Sequence, residues 1–265
     1  MVEQKLAKKN QSVEKVFQII EMMAQSREPL RLQDIALKVE MPASTTLRFL
    51  NTLMTCGYAN QNPNTLRYSL SLKFMHIGSL VSSQMSIRDI AHPYLVELSR
   101  KCDESVCLAI EQDKEIVYID VIDGPDGMLK ITQRIGKVAP IHSTGIGKLM
   151  LLNYDSKQIN QIIAVKDLKA LTPNTITSKE ELLKELAKVK MQGYALDDEE
   201  CELGARCLSA GIKDYTGKYV AGISVSGPIS RMTMDYIETI KNIVIETADR
   251  VSELLAYKSK EIDED

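Results

Sequence analysis

Three short helical segments followed by a hairpin signal occupy the first 70 residues and constrain the fold more than any other feature of the chain. Apolar residues at helical spacing predict a first amphipathic helix from about Ser12 to Ala24. The segment LQDIALKV predicts a short second helix, and a third helix follows a tight turn, beginning at Pro42 and ending before Gly57. Two helices only a few residues apart are typical of a helix-turn-helix.

A wing and a polar helix start accompany these helices. The segment GYANQNPNTLRYSL predicts two short strands around an Asn-Pro-Asn turn, with Arg67 on the returning strand. The third helix begins with Ser44, Thr45 and Thr46, and Arg48 follows one turn later. Small hydroxyl side chains let a helix enter a DNA groove closely, and Arg48 can reach a base edge or a phosphate. We therefore expect a winged helix-turn-helix that binds double-stranded DNA, with a protein-docking module as the alternative.

The charge is divided unevenly along the chain. Residues 1–80 carry 10 Lys and Arg against 6 Asp and Glu, a net +4, whereas the remaining 185 carry 23 against 30, a net −7. A basic segment on an acidic body indicates that only the first part meets a polyanion.

Composition excludes several classes of protein. Hydrophobic residues make up 44% and charged residues 26%, the balance of a globular chain with a buried core. No stretch approaches the ~18 consecutive apolar residues of a membrane-spanning helix, and the start MVEQKLAKKN has charges where a signal peptide is apolar. Five cysteines without a CxxC pair argue against a disulfide framework and favour the cytoplasm.

The rest of the chain reads as a linker and a second domain. We expect residues 1–76 to form the winged helix-turn-helix domain, 77–90 a linker helix, and 91–265 the second domain. In the second domain, SVCLAIE and EIVYIDV predict one hairpin, and CLSAGIKD and YVAGISVSG another. Helices accompany these hairpins without strict βαβ alternation, so the fold class is α+β rather than Rossmann.

Signals for catalysis or cofactors are weak in this sequence. The stretch GIGK resembles the end of a phosphate loop, but His142 replaces the opening glycine and Leu149 follows Lys148 where Ser or Thr is required. The spacings of the cysteines match no zinc signature. Cys207 and His142 could form a Cys-His pair, although nothing near Cys207 marks a strained nucleophile turn. We expect no catalytic residues, no cofactor and no metal.

One candidate binding site makes physical sense. Ser143, Thr144 and Gly145 precede a helix whose free N–H groups can hold an anion, and Gly145 would let a ligand approach the backbone. Ser224 and Ser226 occupy alternate positions of the last strand, face the same side and can supply hydroxyls. The alternative is an ordinary capped helix beside a strand with small residues.

Several stretches resemble one known family. The C-terminal part contains PIHSTGIGKLML, GYALDDEECELGARCLSAGIKDYTGK and AGISVSGPISR, which resemble the signature segments of the IclR family of bacterial transcriptional regulators. The stretch MPASTTLRFLNTLMTCGY and the helices before it resemble that family's winged helix-turn-helix. The similarity runs from about Ser12 to Leu255 in the right order and spacing. It implies a GAF-like effector domain, a homodimer or homotetramer, and control of catabolic genes by small carboxylates, sugar acids or aromatic acids.

The resemblance also implies a set of effector contacts. These are Gly145, Ile146, Asp197, Ala205, Cys207, Ser224 and Ser226. Ala205 departs from the family, which usually has a bulkier residue there. In the DNA-binding part, Arg31 replaces the Ser or Thr that caps the second helix, although Arg31 can bind a phosphate, and Thr46 takes a position that is often apolar. Base preferences therefore do not transfer.

These observations predict a cytoplasmic, ligand-responsive DNA-binding transcription regulator without enzymatic activity. Its partners would be an operator in double-stranded DNA and a small anionic metabolite, with no membrane involved. A sugar acid is favoured, because the candidate pocket residues are small and polar. The alternative classes are a small-molecule hydrolase with an accessory N-terminal domain and a protein-interaction adaptor. The sequence leaves repressor and activator open.

Overall fold

The computed structural model describes residues 10–84, 86–124, 131 and 133–257. The chain divides into two compact units, Met1–Met85 and Ser86–Asp265. This division falls inside the segment 77–90 in which the sequence places the linker. Among the described residues, no helix is long and apolar enough to cross a membrane.

The N-terminal unit is a helix-turn-helix with a wing. Its elements are α1 (Gln11–Gln25), α2 (Leu32–Lys38), α3 (Ala43–Thr55), β1 (Ala59–Gln61), β2 (Tyr68–Leu70) and α4 (Lys73–Gln84). Ile19, Ile35 and Leu50 are fully buried and hold the first three helices together. Pro42 is the N-cap of α3 rather than its first helical residue, and Gly57 adopts φ +77° just after the C-cap.

The wing is an antiparallel hairpin tied to the loop before α2. Ala59 pairs with Leu70 and Gln61 with Tyr68. The Asn62 side chain accepts hydrogen bonds from the backbone N–H groups of Asn64 and Thr65, which fixes the turn that the Asn-Pro-Asn motif predicts. Leu30 and Tyr68 exchange two backbone hydrogen bonds of 3.0 and 2.7 Å. The hairpin therefore has a defined position on the helical core.

The predicted linker helix is divided between two helices. α4 ends at Gln84 and α5 begins at Ile87. Ser86 is extended, with φ −98° and ψ 120°, and its hydroxyl accepts a hydrogen bond from the N–H of Asp89. A serine in this conformation is a strong N-cap, so it starts a new helix where a continuous one was expected.

The C-terminal unit is an α+β domain built on one antiparallel sheet. Its elements are α5 (Ile87–Cys102), β3 (Ser105–Gln112), β4 (Glu115–Ile122), β5 (Val138–Pro140), α6 (Gly145–Leu151), α7 (Ser156–Lys166), α8 (Lys179–Gln192), β6 (Tyr194–Asp198), β7 (Ala205–Lys213), β8 (Tyr219–Pro228) and α9 (Met234–Leu254). In the described residues the sheet order is β5-β4-β3-β8-β7-β6, and every recorded pair is antiparallel. Both predicted hairpins are confirmed, as is the α+β class.

Helices cover both faces of this sheet. α5 and α9 pack on one face against aliphatic side chains such as Leu108, Leu208 and Val225. α6, α7 and α8 cover the other face, where Cys107 and Ala109 of β3 point. The two sets of strand residues alternate because successive side chains of a strand project to opposite sides. The candidate effector residues lie on the face beneath α6.

Candidate DNA-binding and effector-binding sites

The exposed side of α3 carries most of the predicted DNA-binding residues. Ser44 and Arg48 are exposed and lie one turn apart, and Thr45 beside them is half-buried. The Arg48 guanidinium lies 5.7 Å from the centre of the Phe49 ring. Asn51 is exposed about one turn further along the helix. Asn51 was not among the predicted contacts, although the spacing of Asn51 from Ser44 and Arg48 places it on the same side of α3.

Thr46 does not belong to this surface, so the expectation for it was wrong. Its side chain is fully buried in the helical core, and its hydroxyl donates a hydrogen bond of 3.1 Å to the carbonyl oxygen of Pro42. A hydroxyl at a helix start often satisfies itself in this way on the backbone four residues earlier. Thr46 therefore fills the apolar position that the family pattern indicates.

Two arginines flank α3 in different ways. Arg31 is exposed at the start of α2, where its N–H donates to the carboxylate of Asp34 at 3.3 Å. Its guanidinium has only donors and cannot cap the helix, so Asp34 supplies the capping contact instead. The half-buried Arg67 lies just before β2 and donates to the carbonyl oxygen of Pro29 at 2.9 Å. Arg67 thus anchors the wing, and only its remaining donors are available for a phosphate.

The predicted effector residues on the sheet lie in two neighbouring rows. One row contains Asp197, Cys207 and Ser226. The next row contains Ser224, together with Ser209 and Cys107, which were not predicted. Asp197 pairs with Cys207, and Cys207 with Ser226. Ser224 pairs with Ser209 on one side and Cys107 on the other. The hydroxyls of Ser224 and Ser226 are 3.4 Å apart.

Ala205 lies on the same sheet face, next to the first row. It is two residues before Cys207 on β7, opposite Pro228, and is half-buried. Its methyl group is shorter than the bulkier side chains that the family usually has there. This part of the candidate site therefore has a small and partly accessible side chain.

The start of α6 lies directly over these rows. A Cβ atom on Gly145 would come within 2.5 Å of the Ser209 hydroxyl and 3.2 Å of the Ala195 carbonyl oxygen. Glycine is therefore needed for helix–sheet packing, and its contact with a ligand stays a prediction. Ile146 packs over Gly222 in the same way, because a Cβ there would come within 2.8 Å of the isoleucine side chain. Thr144 caps the helix by accepting from Gly147 N–H at 3.0 Å.

Asp197 is buried and holds the turn after β6. One of its oxygens accepts hydrogen bonds from the N–H groups of Glu200 at 2.9 Å and Cys201 at 3.2 Å. Burial raises the pKa of Asp197, and these hydrogen bonds oppose the rise. The carboxylate therefore uses at least one oxygen to hold its own chain.

The thiols of the site are chemically quiet. Burial raises the pKa of Cys107 to about 12 and that of Cys207 well above its usual value, although hydrogen bonding to Ser226 opposes the rise in both. Thiols in this state are almost entirely protonated at neutral pH and are poor nucleophiles. His142 is buried, and its Nε2 lies 3.2 Å from the carbonyl oxygen of Lys169. The Cys207 and His142 pair thus gives no support to a hydrolase.

Lys148 of the GIGK stretch is a buried structural cation. It is 1% exposed, pairs with Glu200 and donates to the carbonyl oxygen of Leu196 at 2.8 Å. Glu185 of α8 lies 3.4 Å away. Burial raises the pKa of Glu200 to about 7, while Lys148 acts to lower it. The lysine joins α6 to the turn that Asp197 holds, and it is not available to a phosphate.

Sequence reasoning missed further polar residues at this site. Ser209 is 1% exposed, and its hydroxyl forms no hydrogen bond within the described part of the chain. The Ser143 hydroxyl lies 3.1 Å from the thiol of Cys201. Alternation along β7 from Cys207 would have placed Ser209 on this face, whereas Cys201 lies in an irregular turn with no pattern to reveal it. No cluster of His, Cys, Asp or Glu suited to a metal ion occurs among the described residues.

A winged helix-turn-helix and an antiparallel domain with a buried polar site beneath one helix together define a DNA-binding regulator with a ligand domain. Family models agree with this class: "IclR helix-turn-helix domain" matches residues 12–63, and "Bacterial transcriptional regulator IclR C-terminal" matches residues 79–253. The chain therefore belongs to the IclR family of transcriptional regulators. It is a ligand-responsive DNA-binding regulator, and the proteins it matches are regulators rather than enzymes.

Individual relatives match over nearly the full length. The HTH-type transcriptional regulator KdgR of Escherichia coli is 35% identical over 246 residues, which cover 93% of each chain. The transcriptional repressor IclR of E. coli is 32% identical over 93% of this chain and 90% of its own. Among solved structures, the IclR protein of Thermotoga maritima has a TM-score of 0.62 at 32% identity, covering 93% of this chain and 99% of its own. The family's regulators bind DNA operators and small-molecule effectors.

Proposed function

We propose that this chain controls catabolic genes by binding an operator with its N-terminal unit and a small hydroxylated carboxylate, such as a sugar acid, with its C-terminal unit. The observation that carries the proposal is the pair of polar rows beneath α6. Four of its residues, Asp197, Ser209, Ser224 and Ser226, are at most 5% exposed, on a sheet face that could have been filled with aliphatic side chains. Buried polar groups cost free energy unless they are paired, and a polar ligand would pair the Ser209 hydroxyl, which has no partner in the described residues.

The operator would be read by the exposed side of α3. Ser44, Thr45 and Arg48 lie at the first turns of that helix, where recognition helices contact base edges. Arg31 and the remaining donors of Arg67 lie on elements next to α3 and would contact phosphates. The basic balance of residues 1–80 supports this division of roles.

The effector would contact Gly145 and Ile146 at the start of α6 and the side chains of the two rows. Short side chains such as Ala205, Cys207 and Ser226 favour a small ligand with several hydroxyl groups over an aromatic acid. We propose that the segment 77–90 carries the response to the DNA-binding unit. A difference in effector affinity of ~3 kcal/mol between two states would change operator affinity over 100-fold.

We further propose that the chain acts in the cytoplasm as a homodimer or homotetramer, and as a repressor. Two DNA-binding units are needed to contact adjacent major grooves, whose centres lie ~34 Å apart. Phe17 is 57% exposed and Val13 49% exposed on α1, an apolar surface that supports self-association. The regulatory sign rests on the relative that is named as a repressor. Light scattering and a promoter–reporter assay test these two points.

Mobility-shift titrations test the main proposal. The full-length chain should bind duplex fragments from upstream of its own gene, with an affinity that falls as salt rises. One or more acids from a panel of gluconate, galacturonate, pyruvate and benzoate should change that affinity and be recovered unaltered. The Ser226→Ala variant should bind the same fragment but lose the response. Absence of duplex binding at low salt, with and without the acids, would contradict the DNA-binding role; an altered acid would favour the hydrolase.

A further inference from the structure

Tyr118 is a further polar residue on the effector-site face, and it was not among the predicted contacts. It lies on β4 opposite Ala109, and Ala109 lies opposite Gly222 of β8. Tyr118 therefore shares the sheet face beneath α6, and its side chain is only 7% exposed. Its two neighbours along this row are among the smallest residues of the sheet. Neither neighbour in this row therefore places a large side chain beside the phenol ring.

The hydroxyl of Tyr118 has neighbours but no hydrogen-bond partner. Within the described ranges, it forms no hydrogen bond, and its oxygen is not among the fully enclosed unpaired atoms. Burial raises the pKa of Tyr118, and the nearby groups of Cys107, Cys207, Cys201 and Asp197 raise it further. Two of these four are predicted effector contacts, and Cys107 lies in the adjoining row. The phenol is therefore a protonated donor on the sheet face that carries the two polar rows.

Lys137 supplies a positive charge on the same side. Its carbonyl oxygen accepts a hydrogen bond of 3.1 Å from the N–H of Tyr118, which places it beside that residue at the start of β5. Lys137 is exposed, and within the described part of the chain its ammonium has no ion pair or hydrogen bond. Its charge acts to lower the pKa of the buried Cys107 thiol, which burial raises. A cation thus lies near the edge of a site that otherwise contains Asp197.

We propose that Tyr118 and Lys137 are effector-binding residues that together select a small hydroxylated carboxylate. Lys137 contacts the ligand carboxylate at the accessible side, and the Tyr118 hydroxyl donates to an oxygen of the ligand within the site. The inference rests on the proposed function, because it assumes that the two polar rows bind the effector. It also assigns the positive charge that an anionic ligand requires, since Asp197 is occupied by backbone N–H groups.

Calorimetric titration of the full-length chain tests this inference. The acid from the panel of gluconate, galacturonate, pyruvate and benzoate that binds with the lowest Kd serves as the probe. Tyr118→Phe keeps the ring and removes one hydrogen bond to a charged or polar ligand, so Kd should rise about tenfold. Lys137→Met removes the charge, so Kd should rise about tenfold at low salt and less at high salt. For the probe's neutral counterpart without a carboxylate, Lys137→Met should have no effect.

Matched controls separate these effects from general ones. Tyr215→Phe and Lys218→Met make the same chemical changes at exposed positions of the β7–β8 turn and should leave Kd unchanged. Circular dichroism and the unliganded Tm show whether each variant is folded. Unchanged Kd in folded Tyr118→Phe and Lys137→Met would overturn the inference, and loss of binding in Ser226→Ala would then still support the proposed site. Failure of every acid to bind the wild type would overturn both.

Discussion

The two faces of the C-terminal sheet are built from the same strands and have opposite chemistry. On β7 and β8, Leu208 and Val225 are fully buried against α5 and α9, while their neighbours Cys207 and Ser226 point beneath α6. The first face is aliphatic and excludes any polar ligand. The second places hydroxyl, thiol and carboxylate groups within one small area. Strand alternation therefore lets one sheet separate a core that stabilises the fold from a polar face that we propose as the effector site.

The largest effect on the free energy of unfolding is expected at the buried charges beneath α6. Lys148→Ala leaves Glu200 buried without its cation, and removing one partner of a buried pair costs about 3–5 kcal/mol of unfolding free energy. Urea unfolding measures this. The double variant Lys148→Met, Glu200→Gln removes both charges and should recover most of the loss. A single variant that loses less than ~1 kcal/mol would mean that the pair is not buried in solution.

The aliphatic face should affect stability without affecting recognition. Leu208→Ala creates a cavity next to α9 and should lower the free energy of unfolding by about 2–5 kcal/mol. Effector and duplex affinities, measured at a temperature where the variant is folded, should stay within twofold of the wild type. Ser226→Ala is the opposite control, with lost effector binding and a small change in stability. If Leu208→Ala changed the effector Kd by tenfold, the two faces would not be functionally separate.

The DNA-binding unit extends the comparison, because recognition there uses exposed rather than buried groups. Arg48→Ala should weaken binding to the operator by about 1–3 kcal/mol if the side chain reads a base. Thr46→Val, which changes a buried side chain, should leave duplex affinity unchanged in the folded protein. Equilibrium mobility shifts on specific and scrambled duplexes measure both. Equal weakening on both duplexes would reassign Arg48 to a phosphate, and no weakening would remove it from the interface.

The sequence predicted the secondary-structure elements better than the roles of individual residues. Periodicity found the first three helices and both hairpins of the C-terminal unit, since apolar spacing reflects which face is buried. It failed at Thr46, because a threonine in a first turn can point outward or return to the backbone. It did not reveal that Gly145 is also needed for packing against Ser209, because that requirement depends on how α6 lies on the sheet. Tyr118 was missed because its significance depends on the register of β4 against β3, which no local pattern specifies.

The smallest expected effect concerns the hydroxyl of Ser209. It is buried on the polar face with no partner in the described structure and lies close to Gly145. If no ligand uses it, Ser209→Ala removes an unpaired hydroxyl and should leave the free energy of unfolding unchanged or raise it by up to ~1 kcal/mol. If the bound effector pairs with it, the same variant should raise the effector Kd severalfold. Chemical unfolding with and without the acid distinguishes these cases, because a ligand contact appears only as a smaller stabilisation by the acid. A clear loss of stability without ligand would contradict both cases and show that the hydroxyl is paired within the protein.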